Sequence, residues 1–195
     1  LADSGLRGEV IVSDNGSSDG SPELAKKAGA RIVHESRRGY GSAYLCGIAA
    51  ARAPIIIMAD ADNTYDLHEI PRLVAKLREG YDIVLGSRLG GVILPGAMPW
   101  LHRYVGNPIL TGLLNRLFRM ELQDAHTGLR AFTRIGYDRL ELSTTGMEFA
   151  SEMIISAGQQ RLKVTEVPIT YYPRTGKSKL NTWRDGWRHL RYLML

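Results

Sequence analysis

Two clusters of acidic residues follow directly after apolar runs in this sequence. The run at 10–12 leads through Ser13 to Asp14, and the run at 55–59 leads to Asp60 and Asp62. Buried parallel strands have this composition, and open α/β sheets bind ligands at the carboxyl ends of such strands. Asp60 and Asp62 are two positions apart, so their side chains point the same way in extended backbone. Adjacent carboxylates repel each other unless a cation lies between them, which favours a divalent cation bridging a diphosphate.

The elements that position these acids alternate between strand and helix. The pattern predicts a Rossmann-like α/β fold with a mostly parallel sheet and helices on both faces. The Gly- and Pro-rich segment 89–99 is predicted to be a mobile loop. Strands are predicted at 9–14, 31–34, 54–59, 81–86, 129–133 and 162–171, and helices at 21–28, 41–52, 66–79, 100–119, 147–159 and 181–195.

Length and composition indicate one globular domain in a reducing compartment. The 195 residues are enough for a hydrophobic core, and the single cysteine excludes an internal disulfide framework. No apolar run is long enough to span a membrane and no signal peptide is visible, so we expect a cytoplasmic location. Residues 161–195 hold eight Lys and Arg against two Asp and Glu, and thus carry the whole basic excess. A phosphate, a membrane surface or only solvent are all compatible partners for that segment.

Five motifs, taken in order, resemble glycosyltransferase family 2 and within it the polyprenyl-phosphate (dolichol-phosphate) sugar synthases. The resemblance extends over nearly the whole chain and implies a nucleotide-diphospho-sugar transferase fold of the GT-A type. The usual first strand of that family would precede Leu1, and many relatives continue into membrane spans beyond Leu195. We therefore expect residues 1–195 to be a single, partial catalytic domain. The motifs lie at 13–20, 60–62, 86–88, 124–130 and 173–180.

The same resemblance implies an inverting, metal-assisted transfer of a hexose to a polyprenyl or dolichyl phosphate. GDP-mannose and UDP-glucose are both compatible donors, and Mg²⁺ or Mn²⁺ is the expected cofactor. The enzyme would lie peripherally at the cytoplasmic face of a membrane, and a homo-oligomer is compatible with it. A related transferase with a soluble acceptor and an inactive nucleotide-sugar binding module remain alternatives. A nucleic acid is not expected as a partner, because the acidic strand ends would repel its phosphates.

The acids are assigned to the donor. Asp62 is predicted to be the main metal ligand, and Asp60 is predicted to assist through the metal or the ribose. Asp14 is predicted to contact the base or ribose, whereas Asp19 is predicted to cap the following helix. For Asp60 and Asp62, a turn or helix-cap role is the structural alternative.

The basic residues are assigned to phosphates. By the resemblance, Arg88 and Arg103 face the acceptor phosphate, which suits the permanent charge and bidentate geometry of guanidinium. Asp124 is predicted to be a base or an acceptor-orienting carboxylate, with orientation of arginines or completion of the metal site as alternatives. A phosphate acceptor is already ionised at neutral pH and needs no strong base. The remaining candidates form a cationic loop expected to close over a diphosphate: Arg174, Lys177, Ser178 and Lys179.

Three further patterns give weaker expectations. Tyr44 occupies the place of the third glycine in a dinucleotide-binding fingerprint that starts at Gly39, so an oxidoreductase is not expected. Close packing of the helix on the sheet is expected at this position instead. Glu148 and Glu152 are four positions apart on one helix face and could be buried functional acids or part of an exposed face; Glu152 is expected to be exposed. The final helix carries tryptophans beside arginines, which favours either a membrane-surface helix or core packing, at 181–195.

Overall fold

Strands and helices alternate along residues 5–176, the part of the chain that the computed structural model describes. The strands are β1 (Ile11–Asp14), β2 (Arg31–His34), β3 (Ile55–Met58), β4 (Ile83–Ile93), β5 (Arg130–Thr133) and β6 (Val164–Tyr171). The α-helices are α1 (Ser21–Lys27), α2 (Tyr40–Ala50), α3 (Ile70–Arg78), α4 (Asn107–Phe118), α5 (Arg134–Asp138) and α6 (Phe149–Gln159). The predicted alternation is therefore confirmed over this range, and the predicted final helix at 181–195 lies outside the described residues.

The strands form a parallel pair, β1 with β2, and a four-stranded sheet in the order β3-β5-β4-β6. In the larger sheet β5 runs antiparallel to both of its neighbours, while β4 and β6 are parallel. The α/β fold class is thus confirmed, with a mixed rather than uniformly parallel larger sheet. Because β3, β4 and β6 share one direction, their carboxyl ends meet the amino end of β5 at the same edge.

Helices cover both faces of the four-stranded sheet. Side chains alternate along a strand, so Ile83 and Leu85 enter one core while Val84, between them, enters the other. The first core also takes buried side chains from α2, α4 and α6, and the second is closed by α3 through Leu73 and Leu77. These two cores fix the position of the sheet edge at which the three parallel strands β3, β4 and β6 end.

Strand β4 is longer than the sequence predicts. After an irregularity between Ser87 and Val92, its pairing with β6 resumes and continues to Ile93, so 89–93 is strand and the prediction of a loop from residue 89 is wrong there. Gly91 explains the error, because a Cβ atom at this position would lie 2.0 Å from the carbonyl oxygen of Ile169. The glycine permits close strand approach rather than loop mobility.

The predicted helix at 100–119 is confirmed, with an irregular first half. Helical backbone begins at Trp100, passes through a π-helical segment at His102–Gly106, and continues as α4. Pro108 lacks the N–H that would bond to the preceding turn, which accounts for the change of helical type beside it. Within residues 5–176, no helix has the length and apolar character needed to cross a membrane.

Candidate active site

The edge where β3, β4 and β6 end brings together five of the predicted site residues. Asp60 and Asp62 follow β3, Arg88 lies in β4, Asp124 precedes β5 and Arg174 follows β6. Asp62, Arg174 and Arg88 all act electrostatically on the Asp60 carboxylate. The edge therefore has an acidic pole, formed by Asp60 and Asp62, beside a basic pole, formed by Arg88 and Arg174. A site that binds a cation together with phosphates requires both.

Contacts to both of its carboxylate oxygens hold Asp60 in a fixed position at this edge. Its Oδ1 atom accepts a hydrogen bond of 2.8 Å from the Tyr44 hydroxyl. Its Oδ2 atom lies against the backbone of Gly128, where a Cβ atom would come within 2.4 Å. Burial raises the pKa of Asp60, and the nearby Asp62 adds to this, whereas the Tyr44 hydrogen bond opposes it. A cation at this position would favour the ionised carboxylate.

Asp62 has one oxygen bound by its own loop and the other facing a cation. Oδ1 accepts hydrogen bonds from the backbone N–H of Thr64 at 3.1 Å and from its hydroxyl at 2.5 Å. Oδ2 lies 2.9 Å from Nη2 of Arg174. The loop thus orients the carboxylate, and the place beside Oδ2 already suits positive charge.

Backbone hydrogen bonds join the end of β6 to the loop that carries Asp62. The N–H of Tyr172 donates to the carbonyl of Thr64 at 3.0 Å, and the N–H of Thr175 donates to the carbonyl of Asp62 at 2.9 Å. Arg174 lies between these two bonds, so the backbone itself holds its side chain beside Asp62. Lys177, Ser178 and Lys179, predicted to continue the cationic loop, lie outside the described residues.

Arg88 and Asp124 form a buried bidentate ion pair. Nε and Nη2 of Arg88 donate to the two carboxylate oxygens at 2.6 and 2.7 Å, and the Arg88 N–H adds a bond of 2.9 Å. The side chains are 10% and 0% exposed, so the pair is formed almost out of water. The Arg88 guanidinium also lies 5.2 Å from the ring centroid of Tyr171. Asp124 therefore orients an arginine, which is one of the alternative roles that the sequence predicts for it.

The pair controls the ionisation of both partners. Burial, the largest influence, would raise the pKa of Asp124, but the charge and hydrogen bonds of Arg88 hold that pKa below its ordinary value. Burial, again the largest single influence, would lower the pKa of Arg88, but the charge and hydrogen bonds of Asp124, together with Tyr65 and Tyr171, raise that pKa. Both groups are charged at neutral pH, and Asp124 is a poor proton acceptor.

The loop from Asp124 to Gly128 is fixed from its amino end. The Glu166 carboxylate accepts the N–H groups of Gln123 and Asp124 at 2.7 and 2.8 Å. The hydroxyl oxygen of Thr111 accepts the N–H of Ala125 at 3.3 Å. Strand β6 and helix α4 therefore both support the loop that presents Asp124.

Arg130, whose side chain is fully buried, also fixes the loop from Asp124 to Gly128. Its guanidinium donates to the backbone carbonyls of Thr127, Ala150 and Ala125 at 2.9, 3.0 and 3.1 Å. Burial lowers the pKa of Arg130, and the three carbonyl dipoles compensate part of the desolvation. Arg130, Gly128, Glu166 and Tyr44 were not predicted as site residues, although the first two lie inside the motif at 124–130.

Asp14 ends β1 and stabilises the turn that follows. Its carboxylate accepts the N–H of Ser17 at 3.0 Å and lies 3.3 Å from Nδ1 of His34. The hydrogen bonds from Ser17, foremost among several, lower the pKa of Asp14 to about 2. Asp19 accepts the N–H of Ser21 at 3.1 Å, but the N-cap of α1 is Gly20, without a side-chain cap hydrogen bond. Asp19 therefore supports the start of the helix from one position before the cap, and the prediction that it is the cap itself is wrong. The contact of Asp14 with a nucleotide stays a prediction.

Glycines bring α2 against the loop before α6. A Cβ atom at Gly39 would lie 2.1 Å from the carbonyl oxygen of Thr145. The close packing at Gly39 is therefore with this loop rather than, as the sequence predicts, with the sheet. Glu152 is buried, and its carboxylate accepts the N–H and hydroxyl groups of Ser143 and Thr144. The expectation that Glu152 is exposed is therefore wrong, because four hydrogen bonds from neighbouring donors offset the desolvation of its carboxylate.

Arg103, like Asp14, is not among the five candidates that meet at the sheet edge. It belongs to the π-helical segment, and its guanidinium lies 5.3 Å from the ring centroid of Tyr104. None of the ion pairs among residues 5–176 includes it. Its predicted contact with an acceptor phosphate stays a prediction.

The acidic pole fits a metal ion only when a diphosphate shares it. Within residues 5–176, no group of three or more His, Cys, Asp or Glu side chains could hold a metal ion. Asp60 and Asp62 offer hard carboxylate oxygens, which Mg²⁺ and Mn²⁺ prefer, and Mg²⁺ commonly takes one or two carboxylates with substrate phosphates and water. The residues thus fit a jointly held ion rather than a cage made by the protein alone.

Comparison with known proteins finds relatives over most or all of the chain. Residues 1–140 match the model of the family described as "Glycosyl transferase family 2". The low-salt glycan biosynthesis hexosyltransferase Agl6 of Haloferax volcanii is 47% identical over 196 residues, which cover 100% of this chain and 47% of the relative. A dolichyl-phosphate hexose transferase of the same organism is 34% identical, over 92% of this chain and 77% of the relative. The chain thus spans about half the length of the first of these relatives.

Solved structures share the fold. Glucosyl-3-phosphoglycerate synthase from Mycobacterium tuberculosis, in complex with Mn²⁺, UDP and glucosyl-3-phosphoglycerate, superimposes with a TM-score of 0.72 at 22% identity. The match covers 95% of this chain and 67% of that one. The GT-A-like α/β fold expected from the sequence is confirmed by this likeness.

Proposed function

Because the chain belongs to glycosyl transferase family 2, we propose that it transfers a hexose from a nucleotide diphosphate donor to a polyprenyl phosphate. The observation that carries this proposal is the sheet edge itself. There the Asp60 and Asp62 carboxylates lie beside two arginines, Arg88 and Arg174, that are fixed by carboxylates. The acidic pole suits the metal-bound diphosphate of the donor, and the basic pole suits a second phosphate.

The donor would be held by Asp60, Asp62 and Arg174. A Mg²⁺ or Mn²⁺ ion bound with the diphosphate would neutralise the charge that develops on the leaving group. Asp62 is oriented for this by Thr64, and Asp60 by Tyr44. Arg174, which is 2.9 Å from Asp62, would contact the same diphosphate once its carboxylate partner is engaged.

The acceptor phosphate would bind at Arg88. Two of the side-chain nitrogens of Arg88, Nε and Nη2, donate to Asp124, which leaves Nη1 to donate to a phosphate oxygen. A guanidinium clamped in this way loses little freedom on binding, so the geometry is set before the acceptor arrives. Asp124 would act through Arg88 as a positioning residue.

The reaction would be a single displacement with inversion at the anomeric carbon. An oxygen of the ionised acceptor phosphate forms the new bond to C1 of the hexose, while the bond from C1 to the donor diphosphate breaks. The nucleoside diphosphate leaves with that electron pair, and no proton has to be removed from the acceptor. Positioning and charge neutralisation would therefore supply most of the rate enhancement.

A lipid acceptor is favoured over a soluble one by the relatives. The dolichyl-phosphate hexose transferase shares 34% identity with this chain, whereas glucosyl-3-phosphoglycerate synthase shares 22%. The second enzyme nevertheless has a similar fold and has been solved with phosphoglyceric acid. A transferase with a small phosphorylated acceptor is therefore the second candidate. Peripheral contact with a membrane belongs to the first candidate.

Transfer from radiolabelled UDP-glucose and GDP-mannose with Mn²⁺ separates these candidates. We expect one donor to label dolichyl phosphate in detergent, and 3-phosphoglycerate to stay unlabelled. Arg88→Lys should reduce the rate about a hundredfold, because an ammonium cannot keep the bidentate pair with Asp124. Arg139→Lys is the matched control on an exposed arginine that donates to the Gln160 carbonyl. Labelling of 3-phosphoglycerate alone would contradict the lipid acceptor, and donor binding without any transfer would contradict the enzyme.

A further inference from the structure

Glu166 is a half-buried carboxylate of β6 that bonds to the backbone beside Asp124. Its Oε2 atom accepts the N–H of Gln123 at 2.7 Å, and its Oε1 atom accepts the N–H of Asp124 at 2.8 Å. Both carboxylate oxygens are therefore used, and both hold backbone rather than side chains. A group that fixes the backbone of Asp124 also fixes the place from which the Asp124 carboxylate reaches Arg88.

The order of the strands explains why this attachment matters. Strand β4, which carries Arg88, lies between β5 and β6 in the sheet. Asp124 belongs to the segment that enters β5, yet its N–H bonds to Glu166 on β6. The segment therefore crosses β4, and Glu166 attaches it on the far side, while α4 adds the neutral hydroxyl of Thr111. This crossing places the Asp124 carboxylate against Nε and Nη2 of Arg88.

We propose that Glu166 is a positioning residue for sugar transfer, which holds Asp124 over β4 so that Asp124 in turn holds Arg88 ready for the acceptor phosphate. The assignment rests on the proposed function, in which Arg88 binds that phosphate. Each of the two N–H groups needs an acceptor oxygen, and an ionised carboxylate supplies both. Protonation turns one oxygen into a hydroxyl, which is a weaker acceptor, so one N–H would lose most of its bond. The ionised form of Glu166 is therefore the form that positions Asp124.

The surroundings of Glu166 make that ionised form costly. Burial, the largest influence, raises the pKa of Glu166, and the negative charge of Asp124 raises it further. The N–H groups of Gln123 and Asp124 oppose this, as does hydrogen bonding to Ser87 of β4, but the pKa stays above its ordinary value. The positive charge of Arg88 is already paired with Asp124. Folding on balance favours the neutral form of Glu166, whereas the positioning of Asp124 needs the ionised form.

Nuclear magnetic resonance tests the positioning without substrate. In the full chain, the amide protons of Gln123 and Asp124 should shift together with the Nε proton of Arg88 as Glu166 titrates, at a pH above the ordinary glutamate pKa of about 4.3. These shared shifts should be absent in Glu166→Gln, because the amide is neutral throughout. An Arg88 signal that does not follow the titration would overturn the proposal and leave Glu166 with a structural role.

The rate of transfer tests the consequence for the acceptor. At pH 7, Glu166→Gln should lower kcat/KM for the acceptor about tenfold or more, since the amide oxygen accepts one N–H while the NH₂ group faces the other. The ratio of natural to variant kcat/KM should approach one as the pH falls through the pKa of Glu166, because the natural residue then becomes neutral as well. Titration of the acceptor phosphate and of Asp60 occurs in both proteins and cancels in this ratio.

Two further variants separate positioning from folding. Asp82→Asn is the matched control, because Asp82 accepts the N–H of Lys163 at 2.8 Å at the opposite end of β4 and β6. It should leave the transfer rate and the pH dependence of that rate unchanged. Glu166→Asp keeps the charge on a shorter side chain that cannot bond to both N–H groups. It should lower kcat/KM for the acceptor and leave donor binding unchanged, which gives the same test if Glu166→Gln does not fold.

The outcomes separate this assignment from the proposed function. A ratio that stays constant with pH, or a parallel loss of Mn²⁺-dependent donor binding in Glu166→Gln, would overturn the assignment in favour of a structural role. Full transfer activity of Glu166→Gln at pH 7 would also overturn it. Shared shifts of Asp124 and Arg88 in a chain that transfers no sugar would support the positioning of Arg88 by Glu166 and contradict the proposed function.

Discussion

Replacing Asp124 by Asn should destabilise the protein by about 3–5 kcal/mol and reduce sugar transfer about a hundredfold or more. The change removes one charge of a pair whose side chains are 10% and 0% exposed, so Arg88 stays buried without its partner. The guanidinium also loses its bidentate pairing, because an amide offers only one acceptor oxygen in place of two. Urea denaturation at pH 7 measures the first effect, and kcat/KM for the acceptor measures the second.

Two controls separate the loss of folding from the loss of function. Glu79→Gln breaks an exposed pair with Lys76 and should cost less than about 1 kcal/mol. The double variant Arg88→Met with Asp124→Leu replaces both charges by apolar groups and should recover most of the stability but no activity. Recovered transfer in the double variant would contradict a role for Arg88 in binding the acceptor.

The pH dependence of stability gives a further check on Asp124→Asn. Because the folded pKa of Asp124 is lowered, the pair stabilises the protein fully above the ordinary aspartate pKa of about 4. That stabilisation is lost as the pH falls through the lower, folded pKa. The difference in unfolding free energy between the natural chain and Asp124→Asn should therefore narrow below about pH 4. A difference that stays constant down to pH 2 would contradict an ionised, paired Asp124.

Gly128→Ala should weaken Mn²⁺-dependent donor binding about tenfold to a hundredfold while the protein stays folded. The new methyl group would lie 2.4 Å from Oδ2 of Asp60 and 3.1 Å from the Tyr65 hydroxyl. Asp60 would have to move away from the methyl group. Because Tyr44 holds the other carboxylate oxygen of Asp60, this movement would disturb their hydrogen bond. Calorimetric titration of the donor with Mn²⁺ measures the effect.

The cause of that effect is tested by a second substitution. If the methyl group displaces Asp60 from Tyr44, adding Tyr44→Phe to Gly128→Ala should cost little more, although Tyr44→Phe alone weakens donor binding. Gly112→Ala is the control, because a Cβ atom there meets nothing within 4 Å, and it should stabilise the helix slightly. Full additivity of the two site substitutions would contradict the displacement.

The sheet edge was predictable from sequence because its signal is local. Apolar runs that end in Asp14, and in Asp60 and Asp62, identify the carboxyl ends of buried strands without knowledge of their neighbours. The family resemblance added Arg88, Asp124 and Arg174, and all three lie at the edge with Asp60 and Asp62. The local sequence therefore predicts where a residue lies along its own strand.

The partners of these residues were not predictable because they depend on distant pairing. Arg88 and Asp124 meet since β5 enters antiparallel beside β4, and no periodicity reveals that insertion. Tyr44 reaches Asp60 from a helix on one face of the sheet. Gly91 is predicted to lie in a loop, but its missing side chain lets β4 approach β6 closely. In each case the tertiary neighbour decides the role.

The acidic pole is proposed to bind a nucleotide sugar through a divalent ion. Calorimetric titration of UDP-glucose and GDP-mannose, each with Mn²⁺ and with EDTA, tests it most directly when the full chain and its Asp62→Ala variant are compared. We predict that one donor binds the natural chain with Mn²⁺, that EDTA abolishes this binding, and that Asp62→Ala removes the metal-dependent part. Equal affinity in EDTA, or metal-dependent affinity unchanged in Asp62→Ala, would contradict the account.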